Sequence, residues 1–134
     1  MRYLLDTHIL VWMIMDMPEL SLQAKIIINE RRNQLFYSTI SVWEVAIKHK
    51  LHPQSIPCSG SKFITLCQET DITCLTLQNH HILALENLSR ATGAPQHKDP
   101  FDQILISQAI AENMIFLTHD KTLQYYDYVN IRIV

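Results

Sequence analysis

Short apolar runs recur along the chain, each closed by polar residues. Tyr3-Leu4-Leu5 stops at Asp6-Thr7, Leu35-Phe36-Tyr37 at Ser38-Thr39, and Ile115-Phe116-Leu117 at Thr118. Ile72-Thr73-Cys74 is a weaker run, and Ile131-Arg132-Ile133 follows near the C-terminus. Runs of this length, bounded in this way, suit strands buried on both faces. The segments between them, residues 9–15, 22–30, 42–50, 62–68, 77–88 and 101–111, carry helical patterns. Val42, Trp43, Ala46 and Ile47 form one apolar stripe; Phe101, Ile104, Leu105, Gln108 and Ala109 form another. Loops are expected around residues 53–60 and 93–98, where Pro, Gly and Ser gather. Strands alternating with helices predict an α/β fold, a central parallel sheet covered on both faces in three α/β/α layers. In such sheets ligands bind beyond the carboxyl ends of the strands.

Composition narrows the class. At 134 residues, the chain is expected to form a single domain over residues 1–134. With 48% apolar and 18% charged residues, it is not a disordered, solvating sequence. The longest apolar run, residues 9–15, is seven residues, against the roughly 20 that a membrane helix needs. Asp6 and His8 interrupt the stretch that a secretory signal would keep apolar. Cys58, Cys67 and Cys74 cannot all pair and form no C-x-x-C, so reduced thiols and a cytoplasmic setting are expected. A net charge of −2 argues against nucleic-acid binding through a basic surface alone. Binding through a bound cation and a small local patch stays open.

The carboxylates then stand out by position. Asp6 directly follows the first apolar run, Glu44 comes seven residues after the second, and Asp120 three after the fourth. Asp99 and Asp102 open the helix that leads into that fourth run. A parallel sheet brings all five to one edge. Each alone has an ordinary explanation. Ser41-Val-Trp-Glu44 reads as a capping box on a helix starting near Ser41, and Asp99-Pro100 as an N-cap followed by proline. Asp6 and Asp120 fit as caps too. Together the explanation weakens, because caps accept Ser, Thr, Asn or Asp almost interchangeably, and clustered like charges destabilise a fold. A cation resolves the conflict, and an oxygen-only donor set favours Mg²⁺ or Mn²⁺. Such ions clamp the oxygens of a phosphoryl transfer.

Other constellations are weaker. His49-x-x-His52 near Cys58 matches no usual zinc spacing, and Lys48-His49-Lys50 reads as an exposed basic patch. His80-His81 reads as a surface pair opening a helix. No P-loop, dinucleotide fingerprint or nucleophile elbow is present. Arg31, Arg32, Lys50, Arg90 and Lys98 are candidate phosphate contacts, with Arg31 and Arg32 reading better as solvated charges. Lys48, four residues after Glu44, either pairs with it or reaches a substrate phosphate.

At these residues the sequence resembles the PIN-domain nucleases, specifically the VapC-type toxins of bacterial toxin–antitoxin modules. The matching segments are Leu4-Leu5-Asp6-Thr7-His8, Ser38-x-x-Ser41-x-Trp43-Glu44-Val45-Ala46-Ile47-Lys48, residues 97–109 with Asp99-Pro100-Phe101-Asp102 at their centre, and Leu117-Thr118-His119-Asp120. Their order and spacing span essentially the whole chain. The resemblance implies a three-layer fold and a Mg²⁺- or Mn²⁺-dependent ribonuclease held inactive by a cognate antitoxin. It carries the acidic positions over to Asp6, Glu44, Asp102 and Asp120, with Asp99 a less certain ligand and the Thr7 and Thr118 hydroxyls in support. Lys48 and Lys98 are the expected substrate contacts. A homodimer is expected, with the apolar residues 11–15 a candidate wall of the antitoxin groove. Many family members carry Arg or a small residue where His119 stands.

Two other classes compete. A phosphoacceptor receiver domain is also a small α/β protein with acids at strand ends, but it opens on paired acids that this chain lacks. A catalytically weak PIN-like interaction module would have no reason to retain so many like charges.

Overall fold

Five strands form one parallel sheet in the order β3-β2-β1-β4-β5, in a computed structural model that describes residues 1–134. The strands are β1 (Arg2–Leu5), β2 (Gln34–Ser38), β3 (Ile72–Leu75), β4 (Ile115–Thr118) and β5 (Ile131–Ile133). The helices are α1 (Thr7–Ile14), α2 (Leu22–Asn29), α3 (Thr39–Leu51), α4 (Gly60–Gln68), α5 (Asn79–Leu85) and α6 (Pro100–Ala111), with a short 3-10 turn at Lys121–Tyr125. All five expected strands are present, and the chain adopts the three-layer α/β/α fold.

The side-chain alternation of the strands explains the layers. Tyr3, Leu5, Leu35, Tyr37 and Leu117 join a core with Ile9 and Leu10 of α1, Ala24 and Ile27 of α2, and Phe63 and Cys67 of α4. Their neighbours Leu4 and Phe116 point the other way, onto Leu105, Ile106 and Ala109 of α6. Leu4 and Leu5 are both fully buried, so truncating either to alanine costs about 2–5 kcal/mol.

Local chemistry sets the helix ends. Ser21 and Ser59 cap α2 and α4 by accepting from Ala24 N and Lys62 N, each at 3.1 Å. Asn113, with φ +53°, turns the chain out of α6 and into β4. Gly60 opens α4 where a Cβ would lie 3.2 Å from the Cβ of Ala46, so a larger residue there would push α3 and α4 apart by a few tenths of an ångström.

Three expectations are corrected. The helix expected from Ser41 starts at Thr39 with Ser38 as its cap, whose hydroxyl accepts from Ile40 N at 3.0 Å. Ser41-x-x-Glu44 is therefore no capping box; both residues are buried one turn further along. The stripe over residues 42–47 is rotated as well, because Trp43 and Ala46 are exposed while Ile40, Ser41, Glu44 and Val45 face inward. His81 is no surface residue: it is fully buried, and only His80 is exposed. Of the apolar residues 11–15, Val11 is buried and Trp12 to Met15 pack half-buried against the first core. The three cysteines are all free.

Candidate active site

The carboxyl end of β1 delivers a buried acid. Asp6 caps α1: its Oδ1 accepts from Thr7 N at 2.7 Å, and its Oδ2 accepts from the Thr118 hydroxyl at 2.6 Å. The backbone holds the same juncture, with Asp6 N donating to Leu117 O at 2.9 Å. Burial drives the Asp6 carboxyl up to about 6; the Thr118 and Thr7 bonds oppose the rise and the charge of Glu44 adds to it.

The next residue reaches α3. The Thr7 hydroxyl donates to Glu44 Oε1 at 2.6 Å and lies 2.9 Å from Ser41 Oγ. A hydroxyl has one proton, so with Glu44 taking it, the Ser41 hydroxyl donates to Thr7. Glu44 Oε2 accepts from Lys48 Nζ at 2.5 Å, one helical turn on. Lys48 thus pairs with Glu44, and its side chain stays 32% exposed. Burial pulls the Lys48 ammonium down, but Glu44 outweighs this and raises it.

Asp99 and Asp102 arrive on α6. Asp99 is its N-cap, accepting from Phe101 N at 2.9 Å and Asp102 N at 3.3 Å, with Pro100 behind it. Asp102 is 9% exposed and lies in the first turn of the helix. Burial lifts its carboxyl to about 8, helped by the charges of Asp6, Asp99, Glu44 and Asp120. That four other acids all act on one carboxylate places the five expected residues around a common space. The Ser38 hydroxyl donates to Gln108 Oε1 at 2.5 Å, tying the end of β2 to α6.

Asp120 closes the cluster after β4. Its backbone N donates to Thr118 Oγ1 at 3.1 Å, and its carboxylate caps the 3-10 turn through Thr122 N at 2.9 Å. Burial pushes Asp120 up, but the Thr122 bonds and the nearby His119 and His97 outweigh it and leave it low. Lys98 is exposed in the loop leading to Asp99.

The donor chemistry fits a hard divalent cation. Two buried carboxyls, Asp6 and Asp102, are raised by burial and by neighbouring carboxylates, and Lys48, engaged by Glu44, is the ammonium paired into the cluster. A cation among these oxygens would supply the missing positive charge.

Sequence reasoning gave no role to His97 or Tyr126. His97 lies in the 93–98 loop with Nε2 3.2 Å from Asp102 Oδ2 and Nδ1 2.6 Å from the Tyr126 hydroxyl. The signal was its place two residues before Asp99, which spacing alone does not turn into a contact. His8, Trp12 and His119 form a second unforeseen group beside Asp6, with ring centroids 4.5–5.9 Å apart.

The zinc spacing at His49 and His52 brings no third ligand together with them; His49 Nδ1 lies 2.7 Å from the Ile56 carbonyl. Arg90, expected as a phosphate contact, instead lies over the ring of Tyr126 at 4.6 Å and donates to Pro95 O at 2.6 Å.

The chain matches the family model described as PIN domain over residues 3–128. Among solved structures, VapBC2 from Rickettsia felis, crystallised bound to a DNA fragment from its promoter, is similar with a TM-score of 0.65 at 16% identity, over 100% of this chain and 98% of that one. DNA-bound VapBC from Salmonella typhimurium is similar with a TM-score of 0.61 at 16% identity, over 100% of this chain and 97% of that one. Likeness at this identity concerns the fold. No curated protein sequence matches significantly.

Proposed function

Because the chain belongs to the PIN domain family, we propose that it is a divalent-metal-dependent endoribonuclease acting as the toxin of a toxin–antitoxin pair. The observation that carries the reading is the convergence of Asp6, Glu44, Asp102 and Asp120 on one space, with Asp6 and Asp102 buried beside other carboxylates. Both structural neighbours are VapBC complexes by name, and together with the resemblance to VapC-type toxins this supports an antitoxin as partner.

On this reading Asp6, Glu44, Asp102 and Asp120 hold Mg²⁺ or Mn²⁺, with Asp99 at the margin. When bound, the ion lowers the pKa of water and stabilises charge on phosphate oxygens. The protein's share is orientation. Thr118 and Thr7 fix the two Asp6 oxygens, and Thr7 with Lys48 fixes Glu44. A carboxylate of the cluster accepts the proton of the attacking water. The water oxygen bonds to phosphorus in line, the bond to the 3′ oxygen breaks, and that oxygen takes up a proton. The products are a 3′-hydroxyl and a 5′-phosphate. Lys98, exposed beside α6, contacts substrate phosphate, and so does the exposed side of Lys48.

The protein works in the cytoplasm, where RNA is available and free thiols persist. Leu22 and Ile26, four residues apart on α2 and both exposed, offer apolar surface for a homodimer or for the antitoxin. A receiver domain is disfavoured by the sheet order, since flavodoxin-like receivers run 2-1-3-4-5.

The test is cleavage of structured RNA by purified protein in Mg²⁺, in Mn²⁺ and in EDTA, with end analysis of the products. Cleavage in both metals, lost in EDTA and yielding 5′-phosphates, is expected. Cleavage that persists in EDTA overturns the metal mechanism. Growth arrest on expression alone, relieved by co-expressing a small partner encoded beside it, is the expected cellular outcome. A protein harmless when expressed alone overturns the toxin role.

A further inference from the structure

Two clusters mix histidine with carboxylate, and their hydrogen bonds separate them chemically. In the first, His80 and His81 both contact Glu112 Oε1, at 2.9 and 2.7 Å. His81 Nδ1 accepts from Gln78 N at 3.0 Å. A backbone N–H can only donate, so Nδ1 is unprotonated and Nε2 carries the proton that goes to Glu112. A nitrogen bearing a proton cannot bind a metal. This cluster is a structural tie between α5 and the end of α6.

The second cluster has the opposite freedom. The ligand atoms of His97, Asp102 and Asp120 all lie within 4.8 Å of one another. His97 Nδ1 meets a hydroxyl, that of Tyr126 at 2.6 Å, and a hydroxyl serves as donor or as acceptor. When Nδ1 carries the proton and Tyr126 accepts it, Nε2 presents a free lone pair toward Asp102. Ligating histidines have this arrangement, with the far nitrogen donating to a fixed acceptor. The spacing fits too. His97 Nε2 lies 3.2 Å from Asp102 Oδ2, and adjacent ligands of an octahedral ion with bonds of about 2.1 Å are about 3.0 Å apart.

The support is rigid. The Tyr126 ring meets the imidazole edge-on at 5.4 Å and has Arg90 over it at 4.6 Å. Gln103 Nε2 donates to the His97 carbonyl at 3.2 Å. The loop backbone is held as well, since Ala91 N donates to Tyr125 O at 2.8 Å. The imidazole is thus held before any ion arrives, with its side chain 12% exposed.

We propose that His97 is a nitrogen ligand of the catalytic cation and biases the site toward Mn²⁺ and similar transition-metal ions over Mg²⁺. Imidazole adds affinity for first-row transition ions and little for Mg²⁺, which prefers oxygen. The inference rests on the nuclease reading only in taking the acid cluster as the cation site.

The experiment uses Mn²⁺ and Mg²⁺ themselves as probes of the full chain, without RNA. Pulsed electron paramagnetic resonance of the Mn²⁺-loaded wild type is expected to show nitrogen coupling from a bound imidazole. His97→Gln is expected to lose that coupling and to bind Mn²⁺ on the order of tenfold more weakly by calorimetry, with Mg²⁺ binding nearly unchanged. His97→Phe keeps a ring against Tyr126 and should behave alike if His97→Gln folds poorly. Tyr126→Phe, which removes only the hydroxyl acceptor, should weaken Mn²⁺ binding by a smaller factor. Mn²⁺ bound to wild type without nitrogen coupling, and an unchanged Mn²⁺ to Mg²⁺ ratio in His97→Gln, would overturn the inference while leaving the nuclease reading intact. A wild type that binds neither ion overturns both.

Discussion

The Thr118 hydroxyl donates to Asp6 Oδ2 across 112 residues of chain, at 2.6 Å. It ties the end of β4 to the end of β1 and stabilises the ionised form of a carboxylate that burial pushes toward its acid. Asp6 is thus held charged against a gradient that its surroundings create.

Asp6→Asn relieves that conflict. The amide oxygen still accepts from Thr7 N, and its NH₂ can donate to Thr118 Oγ1. RNA cleavage is expected to vanish, while the melting temperature in EDTA stays equal or rises by a few degrees. Thermal melts decide it; a clearly lower melting temperature would give Asp6 a structural role.

Stability should fall with pH in EDTA. Asp102 binds its proton up to about 8 in the folded chain and only to about 3.8 when unfolded. Across that window the folded state holds more protons, so unfolding becomes easier as pH rises. His8 and His119, both lowered chiefly by burial, act in the opposite direction below about 6.5. The clean interval is therefore pH 6.5 to 8, where the melting temperature should drop by on the order of 5 °C. Asp102→Asn should flatten the slope, and an equally steep slope in that variant would refute the assignment.

Asp102 should matter more to catalysis than Asp99. Asp99→Asn preserves a good cap over Phe101 N and Asp102 N, so stability holds and activity falls only in part. Asp102→Asn removes a carboxyl that a bound cation would hold ionised, and activity should fall on the order of a hundredfold or more. Assays at saturating Mn²⁺ compare the two; the reverse ranking would move the third ligand to Asp99.

Lys48→Met leaves Glu44 buried with the Thr7 hydroxyl as its remaining partner. The Lys48 side chain is about one-third exposed, so the loss should be about 1–3 kcal/mol, less than for a fully buried pair. Saturating Mn²⁺ should return much of it by placing positive charge in the cluster. Urea titrations with and without Mn²⁺ measure both effects; an equal deficit in the two would detach Glu44 from the cation site.

The sheet was legible because its signal is local. Leu4 and Leu5, or Phe36 and Tyr37, are adjacent apolar residues that no half-exposed strand would carry, and each pair splits between the two cores. The cap at Asp99-Pro100 was legible for the same reason. Ser41 and Glu44 misled because Ser38, Ser41 and Glu44 repeat at the same three-residue spacing, so local pattern cannot say which serine opens the helix. The deciding partner, the Thr7 hydroxyl, is 37 residues from Glu44. His81 misled likewise: its acceptor on Glu112 lies 31 residues away. His97 needed Tyr126, 29 residues on, to fix its ring.

The place of β1 between β2 and β4 also sets a schedule. Asp6 is synthesised more than a hundred residues before its partner strand β4 and Thr118. At about 5–20 residues per second, the growing chain spends several seconds without its fourth strand. Asp6 cannot meet Asp120 during that time. The acid cluster therefore closes only after β4 and Asp120 have emerged, and the ribosome making the chain is not exposed to a finished site while the residues between Asp6 and Asp120 are translated.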